Sequence, residues 1–504
     1  MPLSLTLRLQ ESAMCRPDAE ALVHGEQRLS YRELWQQVLA VAAFLRNQGL
    51  EPRARVALLL NNSTAYVSAY YGVLAAGGVV VALNTAAKAV DLSNWLAHCD
   101  ASWLILDARH AEAGAVSEWC RGRVNVVVVN GAVEATHAWQ DVLTTEAAPD
   151  VVPVTPDALA AIIYTSGTTG RPKGVMLSHG NLTTNVESIL AYLGLRNSDR
   201  ILNVLPFYYS YGNSVLHTHL AVGGCVVIED NLAYPHRVMQ RLSSERATGF
   251  SGVPSTFALL LSRVKLEDYA LSSLRYLTQA GGPMPPANIE RLRKALPQVR
   301  LFIMYGQTEA TARLSFLPPE RLHDKLGSIG VAIPGVTLDV RNDQGVSAAP
   351  NEVGEIWAYG GNIMPGYWND PEATRAVLHN GWLRTGDMAY RDVDGYFFIQ
   401  GRKTEMIKSG AHRIHPKEIE EAIAELDGVG EVAVVGVPDE ILGQVIKAYI
   451  LPKPGVTLDP LQVKAHCHKR LASYKIPKSV EFVTELPKTA SGKIKKFLLA
   501  TTTA

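Results

Sequence analysis

No excess of charge marks this chain of 504 residues: Lys plus Arg and Asp plus Glu number 48 each. A sequence without a net field has no long-range attraction to nucleic acid or to an anionic membrane, so neither is expected as a partner. Cysteine is scarce. The five present, Cys15, Cys99, Cys120, Cys225 and Cys467, are odd in number and far apart, which argues against a disulfide framework and suits a reducing cytoplasm. His466-Cys467-His468 has no second cluster to complete a metal site, so the trio reads as a solvated helix face. Met1-Pro2-Leu3-Ser4-Leu5 lacks a basic n-region and soon meets Arg8 and Glu11, so no signal peptide is expected. Internal repeats and low-complexity tracts are absent as well.

One stretch lacks charge altogether. Residues 56–87 hold no Asp, Glu, Lys or Arg and have the length of a membrane span. The punctuation inside them argues otherwise. Asn61-Asn62-Ser63-Thr64 is a helix start, Gly77-Gly78 breaks the run, and 79–83 is a short buried strand. A buried helix, turn and strand account for the segment without a membrane.

What is present is α/β alternation. Residues 38–49 are helical and end in glycine, while 55–60, 102–106 and 124–129 are apolar strands; 182–193 is helical again, followed by strands 201–205 and 225–228. The expected fold is α/β, a large N-terminal domain of α/β layers with mostly parallel sheets. Residues 395–402 read as a hairpin strand running into a polar stretch, and the texture then changes. A helix at 416–426, strands at 432–437 and 445–451, and a helix at 461–471 make a small α+β C-terminal domain. The expected domains are therefore 1–401 and 402–504.

The most informative stretch is Tyr164-Thr165-Ser166-Gly167-Thr168-Thr169-Gly170-Arg171-Pro172-Lys173-Gly174. It follows the apolar strand 159–163 and packs three glycines, four hydroxyl residues and two cations into ten positions. Glycines let backbone N–H groups turn inward, hydroxyls add donors and Lys173 adds a point charge, so the loop suits phosphate. It is not a Walker A loop: Lys173 does not directly follow a glycine and no Ser or Thr comes after it. Downstream, Gln279-Ala280-Gly281-Gly282-Pro283-Met284 is a flat wall poor in side chains, fit for a planar ring. Phe302-Ile303-Met304-Tyr305-Gly306-Gln307-Thr308-Glu309 ends an apolar strand in an aromatic, polar groups and a carboxylate capable of hard-oxygen metal ligation. Trp382-Leu383-Arg384-Thr385-Gly386-Asp387 sets a carboxylate after a turn, and Gly401-Arg402 adds a guanidinium suited to phosphate. Leu486-Pro487-Lys488-Thr489-Ala490-Ser491-Gly492-Lys493-Ile494 closes the series.

These motifs, in this order, resemble those of the adenylate-forming enzymes: acyl-CoA synthetases, carrier-protein adenylation domains and luciferases. The resemblance implies a two-step reaction. An organic acid is activated by ATP to an acyl-adenylate with release of pyrophosphate, and a thiol, CoA or a phosphopantetheinyl carrier protein, then displaces AMP. It implies an ATP site of Thr165, Ser166, Gly167, Thr168, Thr169, Gly170, Lys173, Gly281, Gly282, Pro283, Tyr305, Gly306, Gln307, Thr308, Asp387, Arg402 and Lys493. Within that site Glu309 and Thr165 hold Mg²⁺, and Lys493, Glu309, Arg402 and Thr308 are catalytic. Lys493 bridges the acid's carboxylate and the α-phosphate on a mobile C-terminal domain, with Lys403 and Thr404 at the hinge.

The chain departs from the family pattern in three places. Thr404 stands where Asp or Lys is usual at the hinge, which needs permissive dihedrals rather than one chemistry. In Lys408-Ser409-Gly410-Ala411, Ala411 replaces a glycine of CoA-forming relatives; Lys408, Gly410 and Ala411 border the thiol passage. Ala411 keeps open a stand-alone enzyme that loads a carrier protein. In Pro206-Phe207-Tyr208-Tyr209-Ser210-Tyr211-Gly212, tyrosine stands where many relatives have histidine, and no carboxylate is available to hold an α-ammonium. Tyr208, Tyr209, Tyr211, Gly212, Val253, Ala280 and Met304 therefore suggest a largely apolar acyl or aryl pocket. A silent binding protein is disfavoured, since it has no need of Lys173, Glu309, Asp387, Arg402 and Lys493 together.

Overall fold

The computed structural model describes residues 4–134, 136–147, 150–165, 172–409, 412–439, 442–488 and 494–500. The chain forms two compact units. The first takes the residues up to Leu338 together with Ala358–Leu383, and the second takes Asp339–Trp357 and the residues from Arg384 onward.

The first unit contains two large sheets. In the seven-stranded sheet the order is His137–Ala138, Asn125–Val129, Ala101–Asp107, Arg55–Leu59, Val79–Ala82, Leu159–Thr165 and Lys173–Ser178. All of its neighbours run parallel except the last pair. All four residues of Val79–Ala82 are buried, which is why the sequence shows unbroken apolar runs here instead of alternation. The charge-free stretch folds as read. Ser63 caps the helix Thr64–Ala75 by accepting from the Tyr66 amide at 3.1 Å, and all twelve helical residues are buried. A helix apolar on every side belongs in a core. Among the described residues no helix is long and apolar enough to cross a membrane.

The nine-stranded sheet runs Val331–Ala332, Ser315–Leu317, Arg300–Tyr305, Tyr276–Gln279, Gly249–Gly252, Arg200–Asn203, Cys225–Ile228, Glu20–His24 and Gln27–Ser30. The six strands from Arg300–Tyr305 to Glu20–His24 are parallel, and both edges are antiparallel. Four neighbouring strands of this sheet thus end side by side. Their carboxyl ends lead into Gly306, Ala280, Val253 and the segment before Ser210–Ala221. Ligands of open α/β sheets bind at that edge, because the connections there are loops free to carry function.

The second unit has its own core of Ile407, Ile414, Ile419, Ile423, Val434, Ile446, Ala448, Ile450, Val463 and Cys467. Helices Pro416–Ala424 and Pro460–His468 contribute to it beside the strands Val429–Asp439 and Gly443–Pro452. Those strands pair antiparallel from Val429 to Asp439, several residues beyond the apolar segments that announce them in sequence. Backbone pairing carries a strand past its buried stretch, through Pro438 and Asp439. The expected class, an α/β fold of mostly parallel sheets plus a smaller α+β part, is the one observed.

Candidate active site

The strand Leu159–Thr165 delivers Thr165 to the mouth of the glycine-rich loop. Tyr164, stacked on Trp95 at 5.4 Å, anchors it by donating to the Trp95 carbonyl at 3.2 Å and lying 2.8 Å from His98 Nδ1. Ser166, Gly167, Thr168, Thr169 and Gly170 lie outside the described residues, as do Gly410, Ala411 and Lys493. Lys173 belongs to the strand Lys173–Ser178 rather than to a loop, directly opposite Thr165. Cross-strand pairing thus returns its ammonium to the level at which the chain left the sheet.

That ammonium sits 4.9 Å above the ring of Tyr367. The Tyr367 hydroxyl in turn donates to Glu309 Oε1 at 2.9 Å. Lys173 and Glu309, more than a hundred positions apart, are thereby joined through one side chain. Tyr367 is held by its amide, which donates to Thr374 Oγ1 at 2.9 Å, and by a backbone bridge to Val175. Sequence reasoning missed it; no local pattern around Tyr367 signals more than a turn.

Glu309 lies on a single 3-10 turn, Thr308–Ala310, after the strand Arg300–Tyr305. The turn is locked. A Cβ on Gly306 would come within 2.0 Å of the Ala312 carbonyl oxygen, so only glycine permits the crossing. Thr311 takes the left-handed φ of 66° and donates its hydroxyl to the Asn362 carbonyl at 2.7 Å. Asn362, fully buried, donates to the carbonyls of Ala310 at 3.2 Å and Arg313 at 2.9 Å. The Met364 amide donates to the Glu309 carbonyl at 2.9 Å. Thr308 Oγ1 lies 3.2 Å from Ser210 Oγ, at the first residue of the helix Ser210–Ala221. Glu309 and Thr165 offer hard oxygens, the donor set that Mg²⁺ takes.

On the next strand, Gln279 donates from Nε2 to the Gly282 carbonyl at 2.8 Å and shapes the Gly281-Gly282 turn. Gly281 has φ of +92°, a region for glycine, and Gly282 and Pro283 are exposed, Tyr305 buried and Gln307 half-buried. The expected pocket residues are also placed. Tyr208 and Tyr209 pack ring on ring at 4.6 Å, and burial raises the pKa of both. Tyr211 turns into the sheet, donating toward Thr278 at 2.9 Å. Gly212 crosses so close to Pro206 that a Cβ would meet its carbonyl oxygen at 2.3 Å. Ala280 and Met304 are buried and Val253 is half-buried.

In the second unit, Asp387 lies within the ten-residue strand Trp382–Arg391, not after a turn. It pairs across the ladder with Arg402, whose Nε reaches Asp387 Oδ1 at 2.7 Å. Lys403, on the turn Lys403–Glu405, pairs with Asp343 at 3.0 Å and Glu355 at 3.4 Å. Thr404 and Lys408 are exposed.

Fold and site together define an α/β enzyme that gathers a carboxylate, hydroxyls and a cation at the ends of strands from its two large sheets. The AMP-binding enzyme family model matches residues 9–368, and the model of the AMP-binding enzyme C-terminal domain matches 418–493. Feruloyl-CoA synthase of Amycolatopsis sp is 38% identical over 96% of this chain and 96% of its own length. Indoleacetate–CoA ligase of Aromatoleum aromaticum is 34% identical over 97% and 96%. Among solved structures, the o-succinylbenzoate CoA synthetase of Bacillus subtilis in complex with its acyl-adenylate intermediate superposes with a TM-score of 0.88 at 28% identity, covering 100% of this chain and 99% of that one. The same enzyme is also known in complex with ATP and magnesium ion, with a TM-score of 0.86 at 28% identity and coverage of 97% and 98%. The chain belongs to the AMP-binding enzyme family.

Proposed function

We propose that this protein is an AMP-forming acid–CoA ligase, activating a carboxylic acid with ATP and passing the acyl group to CoA. The observation that carries the reading is the Lys173–Tyr367–Glu309 assembly, with Thr308 beside Glu309, which joins the turn after the strand Arg300–Tyr305 of the nine-stranded sheet to the strand Lys173–Ser178 of the seven-stranded one. The full-length similarity to CoA ligases supports it, and favours CoA over a carrier protein as acceptor.

In the first step a carboxylate oxygen bonds to the α-phosphorus of ATP as the α–β phosphoanhydride bond breaks, and pyrophosphate leaves with the electron pair. In the second, thiolate sulfur bonds to the acyl carbon and the bond to AMP breaks. Lys173 meets the phosphate chain as a point charge, and the Thr308 hydroxyl donates to an α-phosphate oxygen. Glu309 and Thr165 would hold Mg²⁺, which neutralises phosphate charge when bound. Asp387 takes the ribose hydroxyls and Arg402 a phosphate oxygen. Lys493 neutralises the charge that builds between acid and α-phosphate, where removal of one preorganised partner typically costs roughly 10²–10³ in rate. Splitting the transfer through an activated acyl intermediate replaces one difficult step with two easier ones. The rings of Tyr208 and Tyr209 with Met304 suit an acid with an apolar or aromatic body. A cytoplasmic location fits the four buried cysteines, none of them in a disulfide.

The test is acid-dependent ATP–pyrophosphate exchange across a panel of carboxylic acids, followed by CoA consumption with the acid that responds best. Exchange with at least one acid and stoichiometric thioester are expected. Absence of exchange with every acid overturns the reading.

A further inference from the structure

The helix Lys496–Ala500 is too short to hold itself together, since isolated helices below roughly 12–15 residues are marginal in water. Little apolar surface docks it. Leu499 is buried and packs with Val435, Tyr449 and Leu486, but Phe497 and Leu498 are exposed. The Tyr449 hydroxyl adds one hydrogen bond, donated to the Leu499 carbonyl at 3.1 Å. The remaining anchor is Lys496. Its ammonium lies 2.8 Å from Glu420 Oε1 and 3.1 Å from Glu405 Oε2, with the Lys496 side chain 18% exposed. Burial works against the charge, but the two carboxylates outweigh it and raise the Lys496 pKa. Glu420 is itself held, accepting at Oε1 from the Val434 amide at 2.7 Å.

One carboxylate would suffice to dock so short a helix. Glu420 stands on the helix Pro416–Ala424, whereas Glu405 closes the turn Lys403–Glu405 and directly follows the two hinge residues. Two carboxylates that share a cation repel each other without it, so the ammonium is the clasp between that helix and that turn. Just upstream, the Lys495 amide donates to the Pro487 carbonyl at 2.7 Å, and Ile494 bridges antiparallel to Lys488. The two flanks of segment 489–493, which lies outside the described residues, are thereby joined to each other. Lys493 precedes Lys496 by three positions.

We propose that Lys496 is a positioning residue for Lys493: by clasping Glu405 and Glu420 it holds the flank of that segment at a fixed place relative to the hinge turn, so that rotation at Lys403 and Thr404 is passed to Lys493 without slack. This rests on the acid–CoA ligase reading. Without the clasp the rotation reaches Lys493 only through the long intervening chain, and a misplacement of about 1 Å at a reacting group costs on the order of 10²-fold.

The test measures the two half-reactions separately in the full chain. Pyrophosphate release is followed with whichever of benzoate, hexanoate and octanoate gives the fastest wild-type exchange, and thioester formation with the synthetic adenylate of that acid and CoA. Lys496→Gln should slow pyrophosphate release roughly ten- to hundred-fold, in kcat rather than in KM for ATP, and leave the thioester step unchanged. The second step draws on Lys408, Gly410 and Ala411 of the same unit, so a merely damaged fold lowers both. Lys496→Arg, which keeps the charge, should restore most of the rate. In a Lys493→Ala background Lys496→Gln should cost little more, because no ammonium is left to place. Glu405→Gln leaves the pair with Glu420 standing and decides the matter where Lys496→Gln fails to fold; it should slow pyrophosphate release roughly two- to fivefold with an unaltered melting temperature. Hydrogen exchange, which needs no acid, should quicken roughly tenfold at the Lys495 amide in Lys496→Gln while the amides of Val429–Asp439 keep their wild-type rates. An equal loss in both half-reactions, full additivity with Lys493→Ala, a wild-type rate in Glu405→Gln or an unchanged Lys495 amide overturns the proposal. Those results sink it alone, whereas no exchange with any acid in the wild type sinks the ligase reading.

Discussion

Replacing Tyr367 by Phe removes one oxygen atom and leaves the ring, which makes it a clean probe of the link between Lys173 and Glu309. The hydroxyl donates to Glu309 Oε1 at 2.9 Å, and Tyr367 is 7% exposed. A hydrogen bond to an ionised acceptor contributes about 1.5–3 kcal/mol. At about 1.4 kcal/mol per decade that is roughly a 10- to 150-fold fall in adenylation rate if the bond positions Glu309 for its metal-holding role. Phenylalanine keeps the ring under Lys173, so the cation–π contact, about 0.5–2 kcal/mol, survives. Tyr367→Leu should therefore be slower still. The assay is pyrophosphate release at saturating ATP across a Mg²⁺ titration, where Tyr367→Phe should lower kcat and raise the Mg²⁺ concentration for half-maximal rate. Combining it with Glu309→Gln adds a second discriminator. Once the carboxylate is neutral the hydroxyl has little charge left to orient, so the two changes should be strongly non-additive. Additive effects, or an unaltered Mg²⁺ dependence in Tyr367→Phe, would refute the idea that the hydroxyl orients Glu309.

Three further outcomes are expected. Lys493→Ala should lose roughly 10²–10³ in acyl-adenylate formation while keeping its melting temperature; an undiminished pyrophosphate-release rate would count against the assignment. Burial holds the pKa of His179 and His219 at about 4 and that of His217 at about 3, all below the ordinary 6.5. The folded state refuses protons that the unfolded chain accepts, so stability is intact above pH 6.5 and drains as pH falls toward 4. At pH 5 each histidine has removed roughly 2 kcal/mol, together roughly 6. Scanning calorimetry should find a melting temperature flat from pH 7 to 8.5 and steeply falling below 6.5, and an unchanged value at pH 5 would contradict this. Last, burial pushes the thiols of Cys99 and Cys225 up to about 12 and of Cys120 up to about 11, and raises that of Cys467. Cys15 alone is exposed. Native protein at pH 8 should show one fast-reacting thiol per chain with a disulfide reagent, and two or more fast thiols would mean that these cores open readily.

Much of the site is legible in the amino-acid order because its pieces are local. A strand that ends in Gly-Ser-Thr-rich loop, a glycine pair, and a Tyr-Gly-Gln-Thr-Glu segment each carry their chemistry within a few residues. Element positions follow the same rule: Cys225–Ile228 falls where its apolar run does, and Ser63 caps the helix it announces. What sequence order alone leaves undecided are partnerships between distant positions. Lys173 stands opposite Thr165 only because the chain doubles back antiparallel, and it meets Glu309 only through Tyr367. Asp387 faces Arg402 because two strands share a register, although the intervening turn gives no hint of it. Nothing around Arg313 in the sequence announces that its side chain is only 3% exposed. Its burial, and its want of a counter-charge among the described residues, come from the crossing of three separate segments, at Tyr211, Thr278 and Met304, a closeness set by sheet order. Short-range chemistry is written along the chain; which charge lacks an answer is decided only when the strands are stacked.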